Sequence, residues 1–351
     1  MHTVQAIRKK EDATATIAAP AVVKFPVNGN SPAAEAWEWL KLRKMADRQA
    51  DKIIALMPLV LSGNGNEAVN KLRVTARRLE CILDLLYPRP YPRHVQKFMR
   101  KLKRCRRSLG ELRNYDALLL LAGEMVAHKP AAESDVWETV HEYLQDRKQQ
   151  NTPEALKKFS HINIASSYTK WKCGTEPASN HQPSSGHSLH DLAAHAPAKE
   201  ILYQRIMHSL EEHWQAFEDA VEKSQRHPRE EAIHSMRTAA KRLRYLMEVM
   251  KKLHIPGSEE RLVWLRTLQE VIGRWHDLEL LEHLMADMVG GPRFQLDYPQ
   301  LAEKTQKMIA FNRKVKSASQ HKFFWMTRQS HHYVHTKQWI SGMMKTHGKA
   351  I

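Results

Sequence analysis

Carboxylates are in deficit in this chain of 351 residues: 38 Asp and Glu face 55 Lys and Arg, a formal charge of +17. An excess of that size calls for a polyanionic partner, whether nucleic acid, polyphosphate, an acidic membrane surface or an acidic protein. Cysteine is scarce as well. Cys81, Cys105 and Cys173 are odd in number and scattered, which argues against a disulfide framework and makes the reducing cytoplasm the expected compartment. Long apolar runs are missing. The longest, Ile53 to Leu61, is far too short to cross a bilayer, and the N-terminus has no apolar signal core, so neither secretion nor integral membrane insertion is expected. The sequence also lacks a P-loop, a Gly-rich dinucleotide loop, a Ser or Cys nucleophile motif and sustained strand-like alternation.

What is present is a duplication. Residues 67–86 return 164 positions later as 231–250, with identity at Glu67/Glu231, Ala68/Ala232, Arg73/Arg237, Ala76/Ala240, Arg78/Arg242 and Leu79/Leu243. Most other pairs exchange like for like, such as Val69/Ile233, Leu72/Met236 and Arg77/Lys241. A second block, Leu109-Gly110-Glu-Leu-Arg113-Asn114-Tyr-Asp116, recurs as Ile272-Gly273-Arg-Trp-His276-Asp277-Leu-Glu279 at an offset of 163, so one residue was gained or lost between the blocks, as a loop allows.

The chain divides around these blocks. Residues 1–32 lack periodicity and read as a disordered tail, and 173–197 read as a low-complexity linker. Residues 33–172 and 198–346 each read as a helical-bundle repeat. Each opens with a long helix (Ala33 to Leu61; Ala198 to Ser224), continues with the duplicated helix, turns, and runs a further helix into the Leu/Ile-Gly block. Gly110 and Gly273 are expected at helix junctions, where a left-handed residue is needed, with Asn114, Asp116, Asp277 and Glu279 capping the next helix or pairing with arginines. The predicted fold class is therefore all-α, two tandem helical bundles.

Charge is concentrated. Between Glu67 and Arg113 stand fourteen basic residues and four acidic ones, more than half the excess of the whole chain. With His234 at zero on a helical wheel, Arg237, Lys241 and Arg244 fall within roughly 80° on one side, next to the apolar arc of Ile233, Met236, Ala240, Leu243 and Met247. Repeat one places Arg73 and Arg77 likewise, with Asn70 where the histidine would be. Cations on the edge of a buried face sit at a crevice between helices. Snorkelling to solvent explains one such residue, but not a stripe that recurs in both copies, because like charges on one face repel. A second stripe, Lys97, Arg100, Lys103, Arg104, Arg106 and Arg107, leads into Gly110; its counterpart keeps Arg266 opposite Lys103 but puts Thr267 and Glu270 opposite Arg104 and Arg107.

The order His, Arg three residues on, a basic pair beyond it, then Leu/Ile-Gly-x-x-Arg/His-Asn/Asp resembles the conserved histidine α-helical domain (CHAD), and the resemblance spans both repeats. It implies two bundles related by an internal pseudo-twofold and binding of inorganic polyphosphate in a basic central cavity. The residues placed on that cavity are Arg73, Arg77, Arg78, Lys103, Arg104, Arg107, Arg113, His234, Arg237, Lys241, Arg242, Arg244, Arg266 and His276. No catalytic role, cofactor or metal is expected: the i, i+4 pair His331 and His335 comes without carboxylates or cysteines to complete a site. The implied setting is the cytoplasm, extending to polyphosphate granules and their proteins. Nucleic-acid binding by the same basic surface is the alternative, weakened by the shortage of interleaved aromatics, and a phosphoanhydride-processing enzyme is a third reading. Whatever polyanion binds, log affinity is expected to fall linearly and steeply with log salt as counterions are released. A titration repeated from low to physiological salt measures the slope, and a flat response would exclude recognition by these stripes.

Overall fold

The computed structural model describes residues 37–63, 66–128, 134–173 and 199–348, and every regular element among them is a helix. The expected tail, residues 33–36 and 198, and the expected linker apart from Cys173 lie outside the described residues. Repeat one supplies α1 (Trp37–Leu61), α2 (Asn66–Leu86), α3 (Arg93–Ser108), α4 (Gly110–His128), α5 (Ser134–Ser160) and α6 (Ile164–Cys173). Repeat two supplies α7 (Lys199–Arg226), α8 (Glu230–Lys252), α9 (Ser258–Gly290), α10 (Pro292–Asp297), α11 (Pro299–Met326) and α12 (His331–Gly348).

The duplicated helices form because their apolar residues recur every three to four positions, which puts them on one stripe. In α2 the stripe is Val69, Leu72, Ala76, Leu79, Leu83 and Leu86; in α8 it is Ile233, Met236, Ala240, Leu243, Met247 and Met250, the same positions shifted by 164. All twelve are buried. Both helices bury their other side too, at Thr75, Ile82 and Leu85 in α2 and at the matching Ala239, Leu246 and Val249 in α8, where Tyr245 is buried opposite the half-buried Cys81.

Pairings within one repeat recur in the other. The α1 helix packs on α2 as α7 packs on α8, and α4 packs on α5 as α9 packs on α11. Counterparts also meet across the repeats: α2 touches α8, α4 touches α9, and α5 touches α11, where Lys304 reaches Asp135 at 2.6 Å. One hydrophobic core accordingly draws on both repeats, and a second is shared by α4, α5, α9 and α11. In this arrangement neither repeat keeps a core to itself.

Two expectations need correction. Gly110 opens α4 directly after Leu109, whose backbone (φ −96°, ψ 12°) stays right-handed, and Gly273 lies inside the unbroken α9. Neither glycine is at a left-handed junction; among the described residues the left-handed glycines are Gly63 (φ 72°) and Gly257 (φ 81°). The counterpart of the α3–α4 break is thus one continuous helix of 33 residues, because favourable packing along its length leaves no need for a turn. Asn114, Asp116, Asp277 and Glu279 consequently sit within helices rather than at their caps; the expected pairing with an arginine is found for Asp277, which meets Arg113 at 3.3 Å, whereas Asp116 meets Lys148 at 2.8 Å and Glu279 meets Lys316. The helix α5 runs unbroken from Ser134 to Ser160 through Pro153. Around that proline, Thr152 Oγ1 donates to the Lys148 carbonyl (2.6 Å) and Asn151 Nδ2 to that of Arg147 (2.8 Å).

At Gly257 two constraints coincide. A Cβ would meet Trp339 Nε1 at 2.5 Å, and the φ of 81° is itself costly for any other residue, whereas nothing lies within 4 Å of a Cβ at Gly63. Gly257→Ala is therefore expected to destabilise by roughly 2–4 kcal/mol, strain and overpacking together, and Gly63→Ala by about 1 kcal/mol. Chemical denaturation of the two variants checks the ordering.

Candidate functional site

The two basic stripes converge. A cavity of about 530 Å³ opens between the repeats, lined from α2 by Arg77, Glu80, Cys81 and Asp84, and from α3 by Gln96, Met99, Arg100, Lys103 and Arg106. Repeat two closes it with Glu212 and His213 of α7 and with His234, Arg237, Thr238, Lys241, Arg242 and Tyr245 of α8. The segment joining α2 to α3 adds Arg89 and Tyr91. Eight Lys and Arg side chains thus stand against three carboxylates.

Those carboxylates are already engaged. Glu80 takes Arg106 (2.7 Å), and Arg89 bridges Asp84 (3.0 Å) and Glu212 (3.1 Å) while Tyr91 also bonds Asp84. The inner cations have far less relief. Arg73 spends one guanidinium nitrogen on the Arg106 carbonyl, and Arg113 has Asp277 at 3.3 Å. Arg237 is buried with its Nε unpartnered.

Burial and like charge together lower Arg73, Arg237, Lys241, His276 and His234. Burial, reinforced by Arg77, Arg113, Arg106 and Arg237, lowers Arg73 to about 10. Burial and then Arg113 lower Arg237 to about 10 against a partial pull from Asp277. Lys241 falls furthest, to about 5, through burial and then Arg237, Arg77, Arg113 and Arg73. Burial and then Arg237, His234, Lys241 and Arg113 bring His276 to about 3, and His234, its ring 5.9 Å from that of His276, is lowered by burial and then by Arg237 and Lys241. Four helices, α2, α4, α8 and α9, therefore focus positive potential on one point beside the cavity. A cleft that concentrates perturbed cations is the candidate functional site of this fold.

Of the residues singled out from sequence, Arg77, Lys103, His234, Arg237, Lys241 and Arg242 line the cavity. Arg73, Arg113 and His276 stand immediately behind it in the charged cluster. The others are placed elsewhere. Arg78 pairs with Glu248 (2.7 Å), and Arg244 stacks 4.8 Å over the Tyr245 ring with Glu248 at 3.9 Å. Arg104, Arg107 and Arg266 are exposed and do not line the cavity. Arg100 and Arg106 of the second stripe do line it, and Gln96, Arg100 and Lys103 follow one another at helical spacing, a signal legible in sequence. Arg89 and His213 carried no such signal, because neighbours distant in sequence bring them there, whereas Thr238 shares the face of α8 that carries His234 and Lys241.

Among the described residues one group brings metal-type donors together: Glu230, Glu279 and His283 lie within 4.8 Å of one another. Lys316 already bonds Glu279 and Glu282, so an ammonium supplies the countercharge there. The His331 and His335 rings stack at 3.6 Å on the surface.

An unpaired, desolvated lysine has a consequence for stability. The unfolded chain holds a proton on Lys241 near its ordinary value, while the folded protein releases it above about 5. Between those values the unfolded state binds more protons, so this residue costs most at low pH and its cost shrinks as pH rises. Lys241→Met is expected to stabilise the ligand-free protein by on the order of a few kcal/mol at neutral pH, with a larger gain at pH 6 than at pH 9. Thermal melts of both proteins at the two values decide it; a destabilised variant would mean that Lys241 has an ionic partner in solution.

A family model for the CHAD domain matches residues 44–286. Among solved structures, the crystal structure of the CHAD domain from the plant Ricinus communis aligns with a TM-score of 0.52 at 18% identity, over 93% of this chain and 96% of that one. No curated protein matches the chain significantly. The family match spans both copies of the duplicated helix and the Leu/Ile-Gly blocks after them, and the solved domain shares the all-helical fold: the chain belongs to the CHAD domain family.

Proposed function

We propose that this protein is a non-enzymatic binder of inorganic polyphosphate, held in the cavity between the two repeats. The observation that carries this reading is the cluster of Arg73, Arg77, Arg113, Arg237 and Lys241, buried or half-buried around one point with Asp277 as its nearby carboxylate. Such a cluster is unfavourable alone and is relieved by an external anion. Polyphosphate offers about one negative charge per repeating unit and nothing else to recognise, so arginine forks and lysine ammoniums suffice. Membership in the CHAD family supports the same ligand.

Single-stranded nucleic acid would need flat rings for its bases. The two aromatic residues on the cavity are committed elsewhere: the Tyr91 hydroxyl to Asp84 and Arg89, and the Tyr245 face to Arg244. Phosphoryl transfer would need carboxylates available to hold a divalent ion beside the phosphates, and the three on the cavity are held by arginines. No described helix is long and apolar enough to cross a membrane. A binder of this kind would act in the cytoplasm as an adaptor, bringing granule proteins to polyphosphate.

Competition tests the reading. Labelled long-chain polyphosphate is challenged with unlabelled polyphosphate, single-stranded DNA, RNA and heparin at equal charge and near-physiological salt. Displacement by polyphosphate alone at low concentration is expected; equal displacement by nucleic acid would make the surface an unselective polyanion face. Reversing charge at Arg237 and Lys241 together is expected to reduce affinity by at least a hundredfold with helicity unchanged in circular dichroism. Retained affinity in that double variant would remove the assigned site.

A further inference from the structure

Lys241 occupies the middle of the cationic cluster with nothing to offset it. From α2 it faces Arg73 and Arg77, from α4 Arg113, and from its own helix Arg237. Around the same space α9 brings His276 and Asp277, α3 brings Arg100, Lys103 and Arg106, and α7 brings Glu212 and His213. Every carboxylate in this shell is held by an arginine: Glu80 by Arg106, Asp84 and Glu212 by Arg89, Asp277 by Arg113. Among the described residues no hydrogen bond or ion pair reaches the Lys241 amine, which borders the cavity.

We propose that the cavity takes up its anion together with a proton: Lys241 rests as a neutral amine when the cavity is empty and becomes an ammonium donating to the ligand when it is filled. This rests on the reading of the site as one for polyphosphate and adds how that site responds to pH. No bond to carbon or phosphorus changes; a proton moves from solvent to Nζ, and one negative charge of the ligand is matched inside the protein.

Arg73, Arg237 and His276 cannot take this part, and the other imidazoles on the cavity, His213 and His234, are told apart from the lysine by the Lys241→Met variant below. Arg73 and Arg237, though lowered to about 10, stay charged at neutral pH whether or not a ligand is present. His276, at about 3, stays largely unprotonated at pH 7.5 even if restored to the ordinary 6.5 of an imidazole, whereas Lys241, at about 5, has the ordinary lysine value of 10.5 to return to and is then fully protonated up to pH 8.5. A phosphate oxygen placed between Arg77, Arg237 and Lys241 opposes the same repulsion that lowered the lysine, so its field acts where the shift originates. With one proton gained on binding, affinity falls about tenfold for each pH unit above 5, up to the value that Lys241 reaches in the complex.

Calorimetry on the whole chain separates the outcomes. Long-chain polyphosphate is the probe, because its interior phosphates stay fully ionised and only the two chain ends titrate near neutrality. Binding heats at pH 7.5 in three buffers of different ionisation enthalpy give the protons taken up: about one per site is expected for the native protein and near zero for Lys241→Met. Between pH 6.5 and 8.5 the native affinity is expected to weaken about tenfold per unit and that of the variant to stay nearly level. Tight binding by the native protein without proton uptake would overturn the inference and leave the polyphosphate reading standing, whether or not the variant folds. Uptake that persists in a folded Lys241→Met would move the proton to another group and overturn it as well. No polyphosphate binding by the native protein at any of these pH values would overturn the polyphosphate reading, and this inference with it.

Discussion

Mutual repulsion among buried cations is the constraint around which this protein is arranged. Arg73, Arg77, Arg113, Arg237 and Lys241 come from three helices and both repeats, and each raises the cost of the others. Nothing local to any one helix favours that gathering. It is sustained by the apolar seams of α2 and α8, where twelve buried side chains at matching positions hold the two helices against the rest of the fold. Hydrophobic burial, worth about 1.5–3 kcal/mol for each large aliphatic side chain, is the term large enough to offset a charged cluster of this kind.

Ion pairs ring the cluster instead of neutralising it. Glu80, Asp84, Glu212 and Glu248 bind Arg106, Arg89, Arg78 and Arg244 around its edge, fixing side chains that would otherwise collapse into the cavity or swing into solvent. At the centre Asp277 pairs with Arg113 and also pulls on Arg237. The scaffold repeats while its furnishing does not. The α3 helix of repeat one adds Arg100, Lys103 and Arg106 to the cavity, whereas the corresponding part of repeat two is the first half of the continuous α9, which turns Trp264, Leu265 and Leu268 into the core. Duplication thus supplied two similar frames, and divergence made one the main source of charge and the other the carrier of Lys241, His234 and His276.

The lowered titration of Lys241, His234 and His276 has the same origin as the capacity to bind: charge without counter-charge in a place that water reaches poorly. Stability, pH response and ligand affinity are for that reason linked in this cavity, and a substitution that improves one shifts the others.

Much of this was written in the chain itself. Helical spacing fixed the faces of α2 and α8, the internal repeat named their equivalent positions, and the basic stripe at the edge of the apolar arc pointed to Arg77, Arg237 and Lys241, since periodicity is a local property that any reader of the sequence can count. The Leu/Ile-Gly blocks misled, because whether a glycine ends a helix depends on what packs against the next turn, and at Gly273 that packing carries α9 straight through. Only the tertiary structure decided which cations share a cavity, which are taken up by Glu248 or by solvent, and that Arg89 and His213 belong to it. Those outcomes depend on distances between residues more than a hundred positions apart, and on which carboxylates arrive beside which arginines once both repeats have closed on a common core.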